Sequence, residues 1–218
     1  MSRPQTFRAL AAAVALAAAA GAGSAFLPAA AEAQRTARNP AAEAFVQAQA
    51  SRAVSILASR SLSLAQKQAE FRGFVDEVVD VPRISTFVLG RYARGLKPAQ
   101  RTQFQQLFRE YASNLYEARL GDYRGERVQV TGSIGRSPTD VVVNSVISGG
   151  GLRQPETVRW RLARSGQSWR VVDIEVRGVW LAVVQQQDYV STLDAARGDI
   201  NVLMNQLRQE VARQNRRS

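Results

Sequence analysis

The hydrophobic period of this chain changes near Gly121, from about 3.6 residues to 2, and that switch restricts the fold more than any other feature. Upstream, beginning at Pro40, Val46, Ala50, Ala53, Val54 and Leu57 form one helical stripe, with Phe45 and Ile56 along its edge. A second helix is predicted from about Ser63 to Val79, with Phe71, Phe74, Val75, Val78 and Val79 on one face, and Asp80-Val81-Pro82 breaks it. A short helix carrying Ile84, Phe87, Val88 and Leu89 ends at Gly90. Lys97-Pro98 opens a long helix, where proline in the first turn removes no needed donor. Its stripe is Phe104, Leu107, Phe108, Tyr111, Leu115 and Tyr116.

Downstream of Gly121 four strands are predicted: Arg127 to Ser133, Thr139 to Ser148, Glu156 to Ala163 and Trp169 to Arg177. Gly135 with Pro138, Gly149-Gly150-Gly151 with Pro155, and Ser165-Gly166 separate them. Connections this short favour an antiparallel meander. Helices over roughly Leu181 to Ala195 and Ile200 to Val211 close the chain. Helices, then strands, then helices is an α+β order: a four-stranded antiparallel sheet packed against several helices. The domain is expected over 41–211, followed by a basic tail over 212–218.

The last two strands predict how the sheet divides its faces. Val158, Trp160 and Leu162 share one face of the third strand, and Arg159 and Arg161 the other. In the fourth, Val172, Ile174 and Val176 alternate with Trp169, Val171, Asp173 and Glu175. Pairing the two as a hairpin sets acids opposite arginines, each pair contributing roughly 0.2–1 kcal/mol. The expectation is a solvated salt-bridge ladder on one face and an apolar wall on the other.

The first 33 residues read as a secretory leader. Arg3 and Arg8 precede an apolar run from Ala11 to Ala20, and Ala31-Glu32-Ala33 fits a small-x-small cleavage site before Gln34. The run is mostly alanine and is followed by Gly21, Gly23, Ser24 and Pro28, too weak for a span that needs about 20 strongly apolar residues. Residues 34–40 are expected to be a flexible leader before the domain, and the mature protein to be soluble in the periplasm.

Several chemistries are excluded by what the chain lacks. It has no cysteine and no histidine, so disulfides, thiol nucleophiles and imidazole bases are impossible, and the commonest transition-metal ligand is missing. Twenty-nine lysines and arginines against 18 acids give a formal charge of +11, a balance that favours anionic partners. Nucleic acid is not expected for an exported chain whose arginines are spread out, with a short cluster only at Arg213, Arg216 and Arg217. Gly149-Gly150-Gly151 lies between strands, not before a helix N-terminus, and so is a hairpin loop, not a phosphate cradle. Asp122 and Glu126 beside Tyr123 read as solvated acids at a helix end. No nucleophile, base and orienting group come together, so no catalytic site, metal or cofactor is expected.

Three stretches in order carry a family resemblance. The first is Phe74-Val75-Asp76-Glu77-Val78-Val79-Asp80 with Phe87-Val88-Leu89-Gly90-Arg91-Tyr92. The second is Gln100-Arg101, Phe104, Phe108, Tyr111, Tyr116 and Tyr123, running into Gly125 and Val128. The third is Trp169-Arg170-Val171-Val172-Asp173-Ile174 with Val176, Gly178 and Val179, then Asp188-Tyr189, Leu203 and Leu207. From about Ala41 to Leu207 the chain resembles the MlaC, or toluene-tolerance, family of periplasmic lipid-binding proteins. The resemblance implies an auxiliary component of an ABC transport system that shuttles phospholipid between an outer-membrane lipid complex and an inner-membrane ABC lipid transporter. It implies acyl tails held in a cavity between sheet and helices, with the headgroup facing solvent. Some relatives are instead associated with hopanoid lipids. Two positions depart from the pattern: Ala93 stands where tryptophan is expected, and Trp180 where serine is common.

A lipid carrier makes physical sense of such a chain. Burial is worth roughly 0.8 kcal/mol per methylene, so two acyl tails of about 15 methylenes cost on the order of 20 kcal/mol to leave in water. A carrier needs greasy space and no reactive group. The apolar faces nominate Val75 and Val79 on the second helix, Phe87 and Leu89 on the short one, and Phe104, Phe108, Tyr111 and Leu115 on the long one. The sheet adds Val143, Trp160, Val172, Ile174 and Val176, and its exit adds Val179. A basic surface that binds partners or anionic membranes without enclosing a ligand is the competing expectation.

Overall fold

A computed structural model describes residues 37–117 and 120–216. The leader expected over 1–33, residues 34–36 of the segment after it, and Arg217 and Ser218 of the tail lie outside the described residues. The helices are α1 (Pro40–Ala58), α2 (Leu64–Val78), α3 (Val81–Val88), α4 (Pro98–Glu117), α5 (Leu181–Ala195) and α6 (Ile200–Asn215). Short 3-10 segments occupy Gly90–Gly95 and Leu120–Asp122.

Local chemistry sets most helix starts. Asn39 accepts a hydrogen bond from the Ala42 amide ahead of Pro40, and Ser63 and Gln66 form a reciprocal capping box. Asp80 accepts from the Arg83 amide, so the break read at Asp80-Val81-Pro82 is at once the end of α2 and the cap of α3. The last helix continues to Asn215, which makes the first part of the expected tail helical.

The sheet is an antiparallel meander of order β1-β2-β3-β4-β5, with β1 Glu126–Ser137, β2 Asp140–Gly149, β3 Glu156–Ser165, β4 Ser168–Val176 and β5 Val179–Trp180. It therefore has five strands, not the expected four. The fifth is two residues long, too short to show a period. It returns through Arg177 (φ 53°) and Gly178 (φ 82°), the positive-φ pair of a tight hairpin that matches strand twist.

A second correction concerns register. Arg159 stands opposite Glu175 and Arg161 opposite Asp173, as the hairpin pattern requires. A bulge then sets Leu162 opposite Val171 and leaves Val172 as the extra residue. Trp169 and Val171 are thereby moved off the charged face, and they pack in a core with Leu162, against Trp160 and Ile174.

The outer edge of β1 does not stay open. The Gln47 side-chain amide donates to the Val128 carbonyl (3.2 Å) and accepts from the Val130 amide (3.0 Å). The Gly135 amide donates to the Ala37 carbonyl (3.1 Å), and the Asn39 amide to Ser133 Oγ (2.7 Å). Residues 37–39, expected to be a flexible leader, are thus fastened along an edge whose unpaired amides need partners.

Apolar packing forms two separate clusters. One joins α1 and α2 to the sheet through Val46, Phe74, Val78, Val141, Val143, Leu162, Trp169 and Val171. The other is wholly helical, built from Val88, Leu89, Phe104, Phe108, Tyr189, Leu193, Leu203, Met204 and Leu207 of α3 to α6 and the residues between them.

Candidate functional site

The apolar face of the sheet is continuous across three strands. Val143 stands opposite Trp160, which stands opposite Ile174; one rung further, Ser145, Val158 and Val176 align in the same way. Two polar groups interrupt this wall and satisfy each other. The Trp160 indole N–H donates to Ser145 Oγ (2.8 Å), and the Ser145 hydroxyl donates to the Val158 carbonyl (3.0 Å). No unpaired donor is left there, and the wall behaves as apolar.

The fourteen nominated residues fall on both sides of the division between the clusters. Val143 is fully buried in the sheet cluster, with Val75, Val79, Trp160 and Ile174 packed against it. Leu89, Phe104 and Phe108 are buried in the helical cluster, with Tyr111 against it. Leu115, Val172, Val176 and Val179 are half-buried and belong to neither. Phe87 is 38% exposed on the outer side of α3, so here it faces solvent and not the interior. Helical spacing alone placed it inward; α3 is only eight residues long and turns Ser85, Val88 and Leu89 inward instead.

The charged face of β3 and β4 also differs from expectation. Asp173 and Glu175 are each 6% exposed, so this is no solvated ladder. Arg159 makes a two-pronged ion pair with Glu175 and lies over the Trp180 ring at 5.5 Å. Arg161 turns away from Asp173 to pair with Asp140 at 2.8 Å. That frees Asp173 Oδ1 to accept from the amides of Ile174 (2.8 Å) and Ala182 (2.9 Å). The second bond caps α5, whose own N-cap residue, Trp180, supplies no side-chain bond. A carboxylate of the sheet thus fixes where the helix leaves it.

Burial raises the Asp173 carboxyl above the ordinary aspartate value, against the opposing pull of the two amides and Arg161. An acid raised on folding favours the native state fully below its unfolded pKa, about 3.9, and that favour is lost as pH rises through the folded value. Asp173→Asn keeps an oxygen for both amides but cannot ionise. Its unfolding free energy should match wild type at low pH and gain on it as pH rises past this window. Parallel stability curves in urea titrations across pH would refute the assignment.

The helical cluster holds a residue that sequence reading did not nominate. Phe104 and Phe108 stack with centroids 6.0 Å apart, and Tyr189 meets both edge-on at 6.0 and 6.4 Å. The Tyr189 hydroxyl is buried without a hydrogen-bond partner, and desolvation drives its pKa far above the ordinary value. Its only signal in the sequence was the Asp188-Tyr189 pair of the resemblance.

Two surface clefts adjoin these layers. One, of about 450 Å³, lies among α2, α3, α4 and the β3–β4 turn and is lined by Asp76, Val79, Thr102, Gln105, Arg109 and Arg170, among others. The other, of about 260 Å³, is bounded by Arg91, Tyr92, Gln100 and Asp199. Neither is the enclosed apolar cavity expected between sheet and helices. Among the described residues no group of three or more acids is placed to hold a metal ion.

Comparison with known proteins relates this architecture to others. The fold is similar to that of a phospholipid-binding protein from Ralstonia solanacearum, whose structure was solved in complex with a phospholipid. The TM-score is 0.66 at 25% identity, covering 78% of this chain and 98% of that one. The family described as MlaC protein matches residues 47–209, from within α1 to within α6. Since that match takes in most of the chain and nearly all of both apolar clusters, the protein belongs to the MlaC family.

Proposed function

We propose that the protein is a periplasmic carrier that binds one phospholipid and passes it between an outer-membrane lipid complex and an inner-membrane ABC transporter. The observation that carries this reading is the fold shared with a phospholipid-bound protein along nearly its whole length. The division of the interior supports it. Two apolar clusters that pack separately can part along the seam between them at lower cost than one continuous core, because few side chains interlock across the boundary. In this reading Val75, Val79, Val143, Trp160 and Ile174 form one wall for the acyl tails, and Leu89, Phe104, Phe108 and Tyr111 the other. Leu115, Val172, Val176 and Val179 line the approaches, and the unpartnered Tyr189 hydroxyl lies behind the helical wall. Access requires the helical layer to move relative to the sheet, with the headgroup left in water.

Export is part of the reading, and N-terminal sequencing of protein from a bacterial envelope should begin near Gln34. Organic extraction and native mass spectrometry of the same material should yield co-purified phospholipid. Protein that is empty after gentle purification and takes up none from vesicles would end the proposal. Val176→Trp should lower lipid occupancy much more than thermal stability, since added bulk in an approach blocks a tail without disturbing either core. Equal losses would assign Val176 to packing alone.

A further inference from the structure

We propose that the surface running from α3 through Gly90–Gly95 to the first turn of α4 docks the protein onto anionic bilayers. Residues 81–109 contain Arg83, Arg91, Arg94, Lys97, Arg101 and Arg109 and not one acid. Arg91 is neutralised by Asp194 and Arg109 by Asp76. Arg83, Arg94 and Lys97 are exposed, with no carboxylate partner among the described residues. Arg101 spends one bond on the Ala93 carbonyl (3.2 Å), which ties α4 to the 3-10 segment and leaves its charge in place.

An apolar element accompanies the charge. Phe87 is 38% exposed one helical turn from Arg83, so the two share the outer face of α3. The Gln186 side chain donates to the Phe87 carbonyl (2.6 Å), fixing α3 beside α5, which exposes Val183 at 37%. Exposed aromatic and aliphatic groups among unpaired arginines and lysines are what the interface of an anionic membrane recognises: headgroup charge meets the basic residues and the ring enters the acyl boundary. Lipid exchange at such a surface rests on the carrier reading; docking itself does not.

The full chain is tested by co-sedimentation with vesicles of phosphatidylcholine, with and without phosphatidylglycerol. Binding is expected only with phosphatidylglycerol and should weaken as salt is raised. One basic residue near such a surface is worth about fivefold, so combining Arg83→Gln, Arg94→Gln and Lys97→Gln should cost on the order of a hundredfold. The control combines Arg127→Gln, Arg136→Gln and Arg153→Gln on exposed parts of the sheet, removing equal charge with little loss of binding. Equal losses in both variants, which would mean net charge alone, overturn the proposal. So does a wild type indifferent to phosphatidylglycerol, which would leave this surface to a protein partner. Co-purified lipid is measured in parallel. A patch variant that keeps its lipid but not its vesicle binding supports docking as a separate step, and an empty wild type that still binds the vesicles supports docking while refuting the carrier reading.

Discussion

Phe104→Ala should lower the unfolding free energy by about 3–5 kcal/mol, the range for truncating a fully buried aromatic ring. Phe104 is 0% exposed and joins the helical cluster at its centre, stacked on Phe108 and met edge-on by Tyr189. Removing the ring forfeits its burial and leaves a cavity bounded by long helices that collapse only partly. In urea titrations the midpoint should fall with little change in slope, since the native state stays compact. A loss under about 1 kcal/mol would mean that the site is already loosely packed. Tyr189→Phe should move the other way. It deletes a buried hydroxyl that has no partner and keeps the ring contacts, so stability should hold or rise by about 1 kcal/mol.

The second large effect concerns motion. Val79, at the end of α2, forms an isolated parallel bridge with Val171 of β4, and the Asp80 amide donates to the Val171 carbonyl at 2.9 Å. Residues in such a bridge lie within the Cα range a disulfide accepts. Because the natural chain has no cysteine, Val79→Cys with Val171→Cys introduces the only two thiols. Both residues pack in the sheet cluster, so the cross-link holds the end of α2 against β4. If a tail enters by lifting α2 there, the oxidised form should take up no lipid from vesicles, and reduction should restore uptake. The oxidised protein should also resist denaturant better, which separates a locked fold from a damaged one. Normal uptake while oxidised would place the opening elsewhere.

Much of this architecture was legible in the residues. The change of period separated the helical and sheet regions, and Pro40, Asp80-Val81-Pro82, Lys97-Pro98 and the turn residues between strands marked most boundaries. The opposition of Arg159 to Glu175 and of Arg161 to Asp173 followed from strand alternation alone. The fifth strand did not, because two residues carry no period and Arg177-Gly178 is a less obvious turn pair than Asn-Gly. Nor did the bulge at Val172, since an extra residue reverses the alternation of everything upstream of it in the strand. Placing Phe87 inward failed for a related reason: two turns of helix offer too few positions to fix the orientation of a stripe.

The sequence by itself determined which of the longer segments would be helix or strand, that thiol and imidazole chemistry were closed to the chain, and which family it resembles. Those properties reside in backbone preference, in side-chain type and in motif order, all of which are local or additive along the chain. Only the tertiary structure decided that the apolar faces divide into two clusters, that Asp173 leaves its arginine to cap α5, and that residues 37–39 seal the edge of β1. An amphipathic stripe states that a face will be buried; which other face covers it depends on distances between segments far apart in the chain, and folding sets those.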